Sequence, residues 1–471
     1  MRMNSHIVQL VAQAIAQWLP PNSTVVIGRD ARYRSEDFAK VTARVLVKAG
    51  HTPRVFTDPV PTPVVAHEVA HTAAAGGVMI TASHNPASDN GVKVYTADGG
   101  QLLPDDAFLI EETMSKLAWP TEVSTELPGG IELLGEPEVA AYLNTIAETV
   151  SKSGGLTIAY TAMHGVGGDL FVRALEGAGH RVVSVPEQHD PDPDFPTAPF
   201  PNPEEPGTLD HVIALADQES ADLVMANDPD ADRLAVAVRR QQGWERLTGD
   251  QIGTLLGGHL LAKNAASYSV ATTIVSSSLL AKMAAEAGVT CHTTLTGFKW
   301  LARAADGTDA PLVFAYEEAL GYSVVPSIRD KDGISAALLF AEMVASLPNG
   351  HSPDDVLADV YSTHGVHLNS QRSVRFEGDD AMAQMTTVMG RLRESPPKLL
   401  KAQATADLLT GNGPHEPADV LIYEVENGRV IFRPSGTEPK LKAYLEAVHP
   451  DQRTAAIRLA ELDAAVATIL G

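Results

Sequence analysis

The chain has 471 residues, of which 44% are hydrophobic, and its 35 Lys and Arg against 59 Asp and Glu give a formal net charge of −24. This length predicts three or four domains of ~100–200 residues each. The acidity argues against nucleic acid or an anionic membrane as a partner, since both require clustered cations. A single cysteine, Cys291, excludes an intramolecular disulfide, and no apolar run approaches the ~20 residues that span a bilayer. These features favour a soluble, cytoplasmic protein, and we expect it to be a monomer or a homodimer.

Three apolar runs predict the opening strands of successive α/β domains, at 25–28, 156–159 and 272–275. A later loop in each segment is rich in reactive side chains, at 81–86, 227–233 and 316–322. The spacing predicts three related α/β domains, each contributing one loop to a shared central cleft. We place them at 1–150, 151–247 and 248–350.

The remainder of the chain, 351–471, has a different pattern. Segments 420–425 and 429–432 predict a hairpin around Asn427-Gly428, and a helix is expected over 451–470. This pattern predicts a smaller C-terminal α+β domain.

The stretch Asp190–Pro206 is rich in proline and predicts an extended surface connection. It contains an alternating acidic triplet, Asp190, Asp192 and Asp194, with proline at both intervening positions. No apolar strand follows promptly, so we interpret this triplet as part of a solvated loop.

The segment Thr-Ala-Ser-His-Asn-Pro at 81–86 presents Ser83 on a loop after an apolar strand. Its simplest interpretation is a polar turn, and the adjacent His84 is poorly placed to act as an orienting base. A serine that carries a phosphoryl group needs no catalytic triad, because a metal ion can polarise the phosphorus instead.

The segment Asn-Asp-Pro-Asp-Ala-Asp-Arg at 227–233 supplies alternating carboxylates at Asp228, Asp230 and Asp232. An extended backbone would direct all three to one side. Clustered oxygen ligands favour Mg²⁺, Ca²⁺ or Mn²⁺. A calcium EF-hand is excluded, because Arg233 and Arg239 stand where that loop requires Gly and Glu.

Two further segments carry candidate binding residues. Glu317 and Glu318 can accept hydrogen bonds from sugar hydroxyls, although an exposed turn is an equally simple interpretation. The segment 433–440 follows a predicted strand and combines an arginine fork, two hydroxyls and a glycine N–H, which together favour an anion-binding loop. An ordinary β-turn remains the alternative there.

These motifs, in this order along nearly the whole chain, resemble those of the α-D-phosphohexomutase superfamily. The matching segments are 81–86 (phosphoserine loop), 227–233 (Mg²⁺ loop), 294–300 and 316–322 (sugar-binding loops) and 433–439 (phosphate-binding loop). The resemblance implies four domains around a central cleft. It also implies that the substrate is a small phosphosugar.

The resemblance further implies a mechanism in which phosphorylated Ser83 donates its phosphoryl group to a sugar monophosphate. The resulting bisphosphate, which also serves as activator, reorients and returns its other phosphate to the serine. One Mg²⁺ per chain is implied, with Ser83, Asp228, Asp230 and Asp232 as metal ligands. The implied catalytic residues are Ser83, His84, Lys93 and Lys331. The implied substrate-binding residues are Arg233, Thr296, Gly297, Glu317, Glu318, Arg433, Ser435, Gly436 and Thr437.

Two departures from the family pattern bear on function. Ala319 stands where the phosphosugar loop usually has a serine, in a combination similar to the branch that includes larger phosphoglucomutases and phosphopentomutases, which leaves the substrate open. The chain opens at Met1–Asn4, similar to the segment just after the family's usual first strand, so either its start is misassigned or the first domain lacks that edge strand. The leading hypothesis is a mutase interconverting the 1- and 6-phosphates of glucose or mannose. A phosphopentomutase, a phosphoserine hydrolase and a non-catalytic phosphosugar-binding protein are the alternatives.

Overall fold

The computed structural model describes residues 3–151, 154–263, 267–378, 380–410, 416–435 and 439–470. These residues separate into two compact units, of which the first comprises 1–271 and 297–350 and the second comprises 272–296 and 351–471. No helix within the described ranges is both long and apolar enough to cross a bilayer.

The first α/β segment is built on a five-stranded sheet with strand order β4-β3-β1-β2-β5. Its elements are α1 (Ser5–Trp18), β1 (Thr24–Arg29), α2 (Ser35–Lys48), β2 (Thr52–Phe56), α3 (Thr62–His71), β3 (Gly76–Ile80), β4 (Val92–Thr96), α4 (Pro104–Lys116), β5 (Glu132–Leu134) and α5 (Glu136–Ala147). The strands are parallel except β4, which runs antiparallel to β3. The Asn4 side chain caps α1 by accepting from two backbone N–H groups of its first turn, as expected for an N-cap asparagine.

The second segment repeats this layout, with strand order β10-β9-β8-β6-β7. Its elements are β6 (Thr157–Thr161), α6 (Gly168–Gly177), β7 (Arg181–Ser184), α7 (Pro186–His189), α8 (Asp210–Gln218), β8 (Leu223–Ala226), β9 (Ala235–Arg240) and β10 (Gly243–Arg246). Strands β7 and β8 flank β6 in parallel, and β9 runs antiparallel to β8. The phosphoserine loop between β3 and β4 and the acidic loop between β8 and β9 therefore occupy equivalent places.

The third segment contributes to both units. Its elements are α9 (Gly249–Lys263), β11 (Ser269–Thr273), α10 (Leu279–Glu286), β12 (Thr290–Thr294), α11 (Phe298–Leu301), β13 (Leu312–Glu317), β14 (Gly321–Ser323) and α12 (Gly333–Ala345). In the first unit β13 and β14 pair antiparallel, so the loop at 318–320 again joins a strand to an antiparallel neighbour. The prediction of a strand over 272–275 is wrong in its bounds. The strand ends at Thr273, where the N–H of Ser276 donates to the Thr273 carbonyl and closes a turn.

The C-terminal segment is an antiparallel sheet with strand order β15-β19-β18-β17-β16. Its elements are α13 (Pro353–His364), β15 (Val366–Arg375), α14 (Ala381–Glu394), β16 (Ala404–Asp407), β17 (Leu421–Val425), β18 (Gly428–Pro434), β19 (Lys440–His449) and α15 (Gln452–Leu470), with short 3₁₀ turns at Lys398–Leu400 and Leu408–Thr410. The predicted hairpin and terminal helix are confirmed, and Asn427 takes the left-handed conformation at the turn, with φ of 54°. The predicted class, three α/β domains plus a smaller α+β domain, is confirmed.

The prediction that Asp190–Pro206 forms an extended connection on the surface is only partly confirmed. Asp190 and Asp194 are exposed, but Phe195 and Ala198 are each only 2% accessible. The chain turns inward at Phe195, whose φ is 46°. This stretch therefore packs against the body of the first unit.

A buried carboxylate organises the second unit. Glu446 accepts hydrogen bonds from Ser277 Oγ at 2.9 Å, His367 Nδ1 at 3.0 Å and Arg429 Nε at 2.7 Å. Burial alone would raise the pKa of Glu446, but the hydrogen bond from His367 and the charge of Arg429 outweigh it and lower the pKa from 4.5 to about 2.

We predict that Glu446 makes stability depend on pH in the acidic range. A carboxyl group with a lowered pKa in the folded state stabilises it fully above the unfolded pKa, and this contribution is lost as pH falls through the folded pKa. Glu446 should thus contribute roughly 3 kcal/mol at neutral pH, declining from pH 4.5 toward pH 2. Denaturant unfolding of the wild-type chain and Glu446→Gln at several pH values checks this. A difference that does not shrink toward pH 3 would contradict it.

Candidate active site

Ser83 lies in the loop between β3 and β4, with a left-handed backbone, φ of 50°. Its hydroxyl donates to Asp228 Oδ2 at 2.9 Å and lies 3.2 Å from His84 Nδ1. The backbone N–H of Ser83 donates to Thr81 Oγ1 at 2.9 Å. The loop thus directs its hydroxyl at the acidic loop of the second segment, 145 residues away in the chain.

The carboxylates of Asp228, Asp230 and Asp232 are fully buried, and one oxygen from each lies within 4.8 Å of the others. The expectation of an extended backbone is wrong. Residues 229–231 form a turn, and Ala231 takes the left-handed conformation with φ of 55°. The carboxylates converge because this turn folds them inward, whereas strand alternation plays no part.

Two lysines lie against the acidic cluster. Lys93, on β4, places Nζ 2.7 Å from both Asp230 Oδ2 and Asp232 Oδ2. Lys331 Nζ lies 3.3 Å from Asp232 Oδ2 and 3.7 Å from Glu317 Oε1. Burial alone would lower the pKa of each lysine, but the neighbouring carboxylates outweigh it, so that the pKa of Lys93 is held well above its usual range and that of Lys331 is also raised. Both side chains are therefore cations.

The cluster fits a hard divalent cation, because the lysines leave two of its carboxylate oxygens unused. Lys93 and Lys331 contact the Oδ2 atoms of Asp230 and Asp232, whereas both Oδ1 atoms are buried without a hydrogen-bond partner among the described residues. Buried carboxylate oxygens without partners are costly unless a cation compensates them. Burial and the charges of Asp232 and Asp230 raise the pKa of Asp228 well above its usual range. This arrangement could bind a metal ion.

Arg233 follows the acidic turn and is held on two sides. Its N–H donates to Asp228 Oδ1 at 3.0 Å, and its Nη1 lies 3.3 Å from Glu204 Oε2. A Cβ atom built on Gly333 would lie 2.2 Å from the Arg233 carbonyl oxygen, so only glycine fits at position 333 against the Arg233 backbone. The Arg233 backbone is therefore fixed beside the cluster, and its side chain pairs with Glu204.

His84 is partly buried beside the same cluster. Burial, together with the charge of Arg233, lowers the pKa of His84 to about 3. The imidazole is consequently neutral at physiological pH, and it offers Ser83 a hydrogen-bonding neighbour without adding charge.

The sugar-binding candidates divide between the two units. Glu317 ends β13 in the first unit and faces Lys331, and Glu318 follows in the turn to β14. Gly297, with φ of 109°, precedes α11 in the first unit. Thr296 belongs to the second unit. The structure thus brings Glu317 together with the residues around Ser83.

The candidate phosphate-binding loop lies in the second unit. Arg433 is in β18, paired in register with Lys442 of β19. The N–H of Ser435 donates to the Lys440 carbonyl at 2.7 Å. Gly436 and Thr437 lie outside the described residues.

Sequence reasoning missed three residues that contact this site. Thr62, at the start of α3, donates its hydroxyl to Asp230 Oδ2 at 2.7 Å, and Thr81 does so at 3.3 Å. Arg32 donates to the backbone carbonyl of Ser83 and is almost fully buried. A signal existed for Arg32, since Gly28-Arg-Asp-Ala-Arg32 places charged residues directly after a buried strand. Nothing in the local sequence distinguishes Thr62 from an ordinary helix-start threonine.

Comparison with known proteins gives a consistent family. Four domain models described as phosphoglucomutase/phosphomannomutase domains I, II and III and C-terminal domain match residues 1–120, 140–243, 248–364 and 374–464. A "Probable phosphomannomutase" of Haemophilus influenzae is 37% identical over 483 aligned residues, covering 100% of this chain and 98% of that protein. A phosphopentomutase of Mus musculus is 35% identical, covering 90% of this chain and 77% of that protein.

A solved structure agrees on the fold. The crystal structure of a phosphoglucomutase/phosphomannomutase family protein from Burkholderia thailandensis superposes with a TM-score of 0.77 at 20% identity, covering 99% of this chain and 94% of that one. The chain belongs to the phosphoglucomutase/phosphomannomutase family, whose members are intramolecular phosphotransferases.

Proposed function

We propose that this chain is a phosphosugar mutase in which Ser83 carries the transferred phosphoryl group. The observation that supports this most strongly is the 2.9 Å hydrogen bond from Ser83 Oγ to Asp228 Oδ2, within a buried group of three carboxylates. A serine hydroxyl on a hard-metal site has the components that phosphoryl transfer requires. Neither the Ser83 loop nor the acidic loop would indicate phosphoryl transfer without the other.

The proposed reaction has two halves. In the first, a sugar hydroxyl oxygen forms a bond to the phosphorus as the bond to Ser83 Oγ breaks, and the proton lost by the sugar balances the proton gained by the serine. In the second, the reoriented bisphosphate returns its other phosphoryl group to Ser83. No phosphate is consumed, and the net change is the position of the phosphate on the sugar.

The chain's own residues have distinct proposed roles. Lys93 and Lys331 hold positive charge beside the reacting oxygens, which stabilises the charge on the transferring group. Neutral His84 orients the Ser83 hydroxyl. Glu317 and Glu318 accept hydrogen bonds from sugar hydroxyls.

The remaining substrate contacts concern the distal part of the sugar. Arg233, Thr296 and Gly297 are proposed to contact the phosphosugar. The loop containing Arg433, Ser435, Gly436 and Thr437 is proposed to bind the phosphate that is not being transferred.

A single Mg²⁺ is the proposed cofactor, held by Asp228, Asp230, Asp232 and the oxygen of phosphorylated Ser83. When bound, it supplies Lewis-acid polarisation of the phosphoryl group. A sugar bisphosphate is the proposed activator, because it phosphorylates Ser83 before turnover.

Metal removal is expected to abolish turnover reversibly. Chelation with EDTA should lower the mutase rate by at least ~100-fold, because several kcal/mol of charge stabilisation would be lost. Addition of Mg²⁺ in excess should restore it. A coupled assay of product formation checks this, and full turnover in the chelated enzyme would contradict the metal assignment.

The preferred sugar is proposed to be a hexose, with interconversion of the 1- and 6-phosphates of mannose or glucose. The Haemophilus relative named as a phosphomannomutase is matched along nearly its whole length, which supports this choice. A pentose phosphate, converted between the 1- and 5-phosphates, is the second candidate, supported by the similarity to the mouse phosphopentomutase. Ala319, in the turn after Glu318, leaves the choice between the two open, because it only removes one hydroxyl near the proposed sugar site.

A substrate panel tests the function. Mannose 1-phosphate, glucose 1-phosphate and ribose 1-phosphate are supplied separately with Mg²⁺ and a trace of the matching bisphosphate. Higher kcat/KM for a hexose phosphate is the expected result, and higher kcat/KM for ribose 1-phosphate would establish the second candidate. Stoichiometric release of inorganic phosphate would instead identify a hydrolase. Binding without turnover would identify a non-catalytic phosphosugar-binding protein.

A further inference from the structure

We infer that Arg32 is a positioning residue that fixes the Ser83 loop for phosphoryl transfer, and that Phe195 fixes Arg32. This inference rests on the proposed role of Ser83 as carrier. It gives a function to the proline-rich stretch Asp190–Pro206, which no part of the proposed reaction uses.

The Arg32 guanidinium binds the Ser83 loop by donating hydrogen bonds to backbone carbonyl oxygens of that loop. Nη2 donates to the carbonyls of Ser83 at 2.5 Å and Asn85 at 2.6 Å. Nη1 donates to the carbonyls of Pro86 at 2.8 Å and Asp89 at 3.3 Å. One planar guanidinium thus joins four points of a loop that lacks regular secondary structure, a task suited to the fixed fork of arginine and not to a lysine point charge.

The loop needs such support because its backbone is turned away from a strand geometry. Ser83 itself is in the left-handed conformation, which costs free energy for a residue other than glycine. Its carbonyl is one of the four that Arg32 binds. Removal of the guanidinium would leave these carbonyls without their donor and let the loop relax, which would displace the Ser83 hydroxyl from Asp228.

Arg32 is itself held from two sides. Asp30 Oδ2 lies 3.1 Å from Arg32 Nε, while Asp30 Oδ1 accepts from the Arg32 N–H at 3.0 Å and from Ser35 Oγ at 2.6 Å. The Phe195 ring covers the guanidinium, with the Arg32 Cζ atom 4.9 Å from the ring centroid. Arg32 is 4% accessible and Phe195 2%, so the cation–π contact is desolvated, where it is strongest.

The stretch Asp190–Pro206 also contacts two other residues close to the candidate active site. Tyr33, next to Arg32, donates its hydroxyl to Asp194 Oδ2 at 2.9 Å. Further along the stretch, Glu204 contacts Arg233. The stretch therefore supports both the phosphoserine loop and the arginine that follows the acidic loop.

The contacts of Arg32 indicate that it positions the Ser83 loop and takes no direct part in phosphoryl transfer. Within the described ranges its hydrogen bonds and ion pair go to backbone carbonyls and to Asp30, and none reaches Ser83 Oγ or the three aspartates of the acidic loop. A lysine at position 32 would retain the positive charge while losing the fork. The substitution Arg32→Lys consequently separates geometry from charge.

The test compares Arg32→Lys and Phe195→Leu with Arg54→Met, a matched control. Arg54 is a partly buried arginine of the first unit that pairs with Glu68 and Glu132, away from the Ser83 loop. In Arg32→Lys we expect kcat to fall roughly 10–100-fold with KM little changed, because a misplaced reacting group can cost about 100-fold. Phe195→Leu should show a smaller loss of the same kind.

Two further readouts distinguish positioning from a general loss of stability. A displaced phosphoserine is more open to water, whose oxygen would bond to phosphorus as the Ser83 Oγ bond breaks and inorganic phosphate leaves. The ratio of phosphate release to sugar isomerisation should therefore rise in Arg32→Lys and in Phe195→Leu. Amide hydrogen exchange over 82–90 should accelerate in the same two variants, whereas Arg54→Met should leave both readouts unchanged.

The outcomes separate this inference from the proposed function. Wild-type kcat, release ratio and loop exchange in Arg32→Lys would overturn the inference, and if that variant fails to fold, the same result in Phe195→Leu would do so. A parallel Ser83→Ala variant that keeps its covalent phosphate and its turnover would overturn the proposed function instead. Loss of phosphate in Ser83→Ala combined with the expected changes in Arg32→Lys supports both.

Discussion

Replacement of Ser83 by alanine is expected to lower mutase turnover by at least ~10⁴-fold, because no other group can then carry the phosphoryl group between the halves of the reaction. The physical basis is geometric. Ser83 Oγ is the hydroxyl that donates to Asp228 Oδ2 in the acidic cluster, at 2.9 Å. The variant should fold as well as the wild-type chain, since the change removes one oxygen from a partly exposed side chain.

Ser88→Ala provides the matched control for this prediction. Ser88 lies in the same loop, but it is exposed and its hydroxyl donates to Asp89 Oδ1 at 3.1 Å. Steady-state rates with the best substrate of the panel should be near wild type for Ser88→Ala. Comparable losses in both variants would mean that the loop tolerates no substitution, and the role of Ser83 as carrier would then be unsupported.

The second large effect is expected for Lys93→Met. Lys93 Nζ lies 2.7 Å from the carboxylates of two fully buried aspartates, Asp230 and Asp232. Removal of one partner from a buried ion pair leaves an uncompensated charge, which typically costs about 3–5 kcal/mol. We expect a loss of that size in the free energy of unfolding, together with a severe loss of turnover.

Mg²⁺ should reduce the difference in the free energy of unfolding between Lys93→Met and the wild-type chain. A divalent cation bound to the same carboxylates replaces part of the lost positive charge and binds only the folded state. Denaturant unfolding of Lys93→Met and wild type with and without Mg²⁺ measures this. Lys116→Met is the control, because its exposed pair with Glu112 should contribute only ~0.5 kcal/mol. Equal small losses in the two lysine variants would contradict the buried-pair account.

Much of the fold followed from patterns of apolar residues. The strands β1 and β6 begin within a residue of their predicted starts, and the hairpin around Asn427 has the expected turn. Buried parallel strands give continuous apolar runs, and a two-residue Asn-Gly turn is a strong local signal. The end of β11 was mispredicted because apolar residues continue past Thr273 into a turn that is closed by hydrogen bonds.

The convergence of the carboxylates was predicted correctly but for the wrong reason. Strand alternation suggested that Asp228, Asp230 and Asp232 share a side, whereas a turn with a left-handed Ala231 brings them together. Local sequence does not encode that turn clearly, since alanine rarely takes a positive φ. Backbone N–H groups of Thr62, Val166 and Gly333, which donate to the carbonyls of the turn, hold it in place.

The sequence alone could not predict which residues that are distant in the chain contact each other near the site. Arg32 and Phe195 are separated by more than 160 positions, and neither belongs to a recognised motif, yet their contact supports the Ser83 loop. Thr62 and Asp230 are likewise distant in the chain, and nothing in the sequence near Thr62 marks it as a partner of the acidic loop. Such pairs are set by how the first and second α/β segments pack, and a single sequence carries no record of that packing.

The most direct test of Ser83 as the phosphoryl carrier is a mass measurement of the phosphorylated residue. The wild-type chain is incubated with a hexose bisphosphate and Mg²⁺, digested, and its peptides are sequenced by mass spectrometry, then the same preparation is mixed with sugar monophosphate. We predict one phosphoryl group on the peptide containing 81–86, located at Ser83 and lost to the sugar within a single turnover. A phosphoryl group at another residue, or one at Ser83 that sugar monophosphate does not remove, would contradict the proposed mechanism.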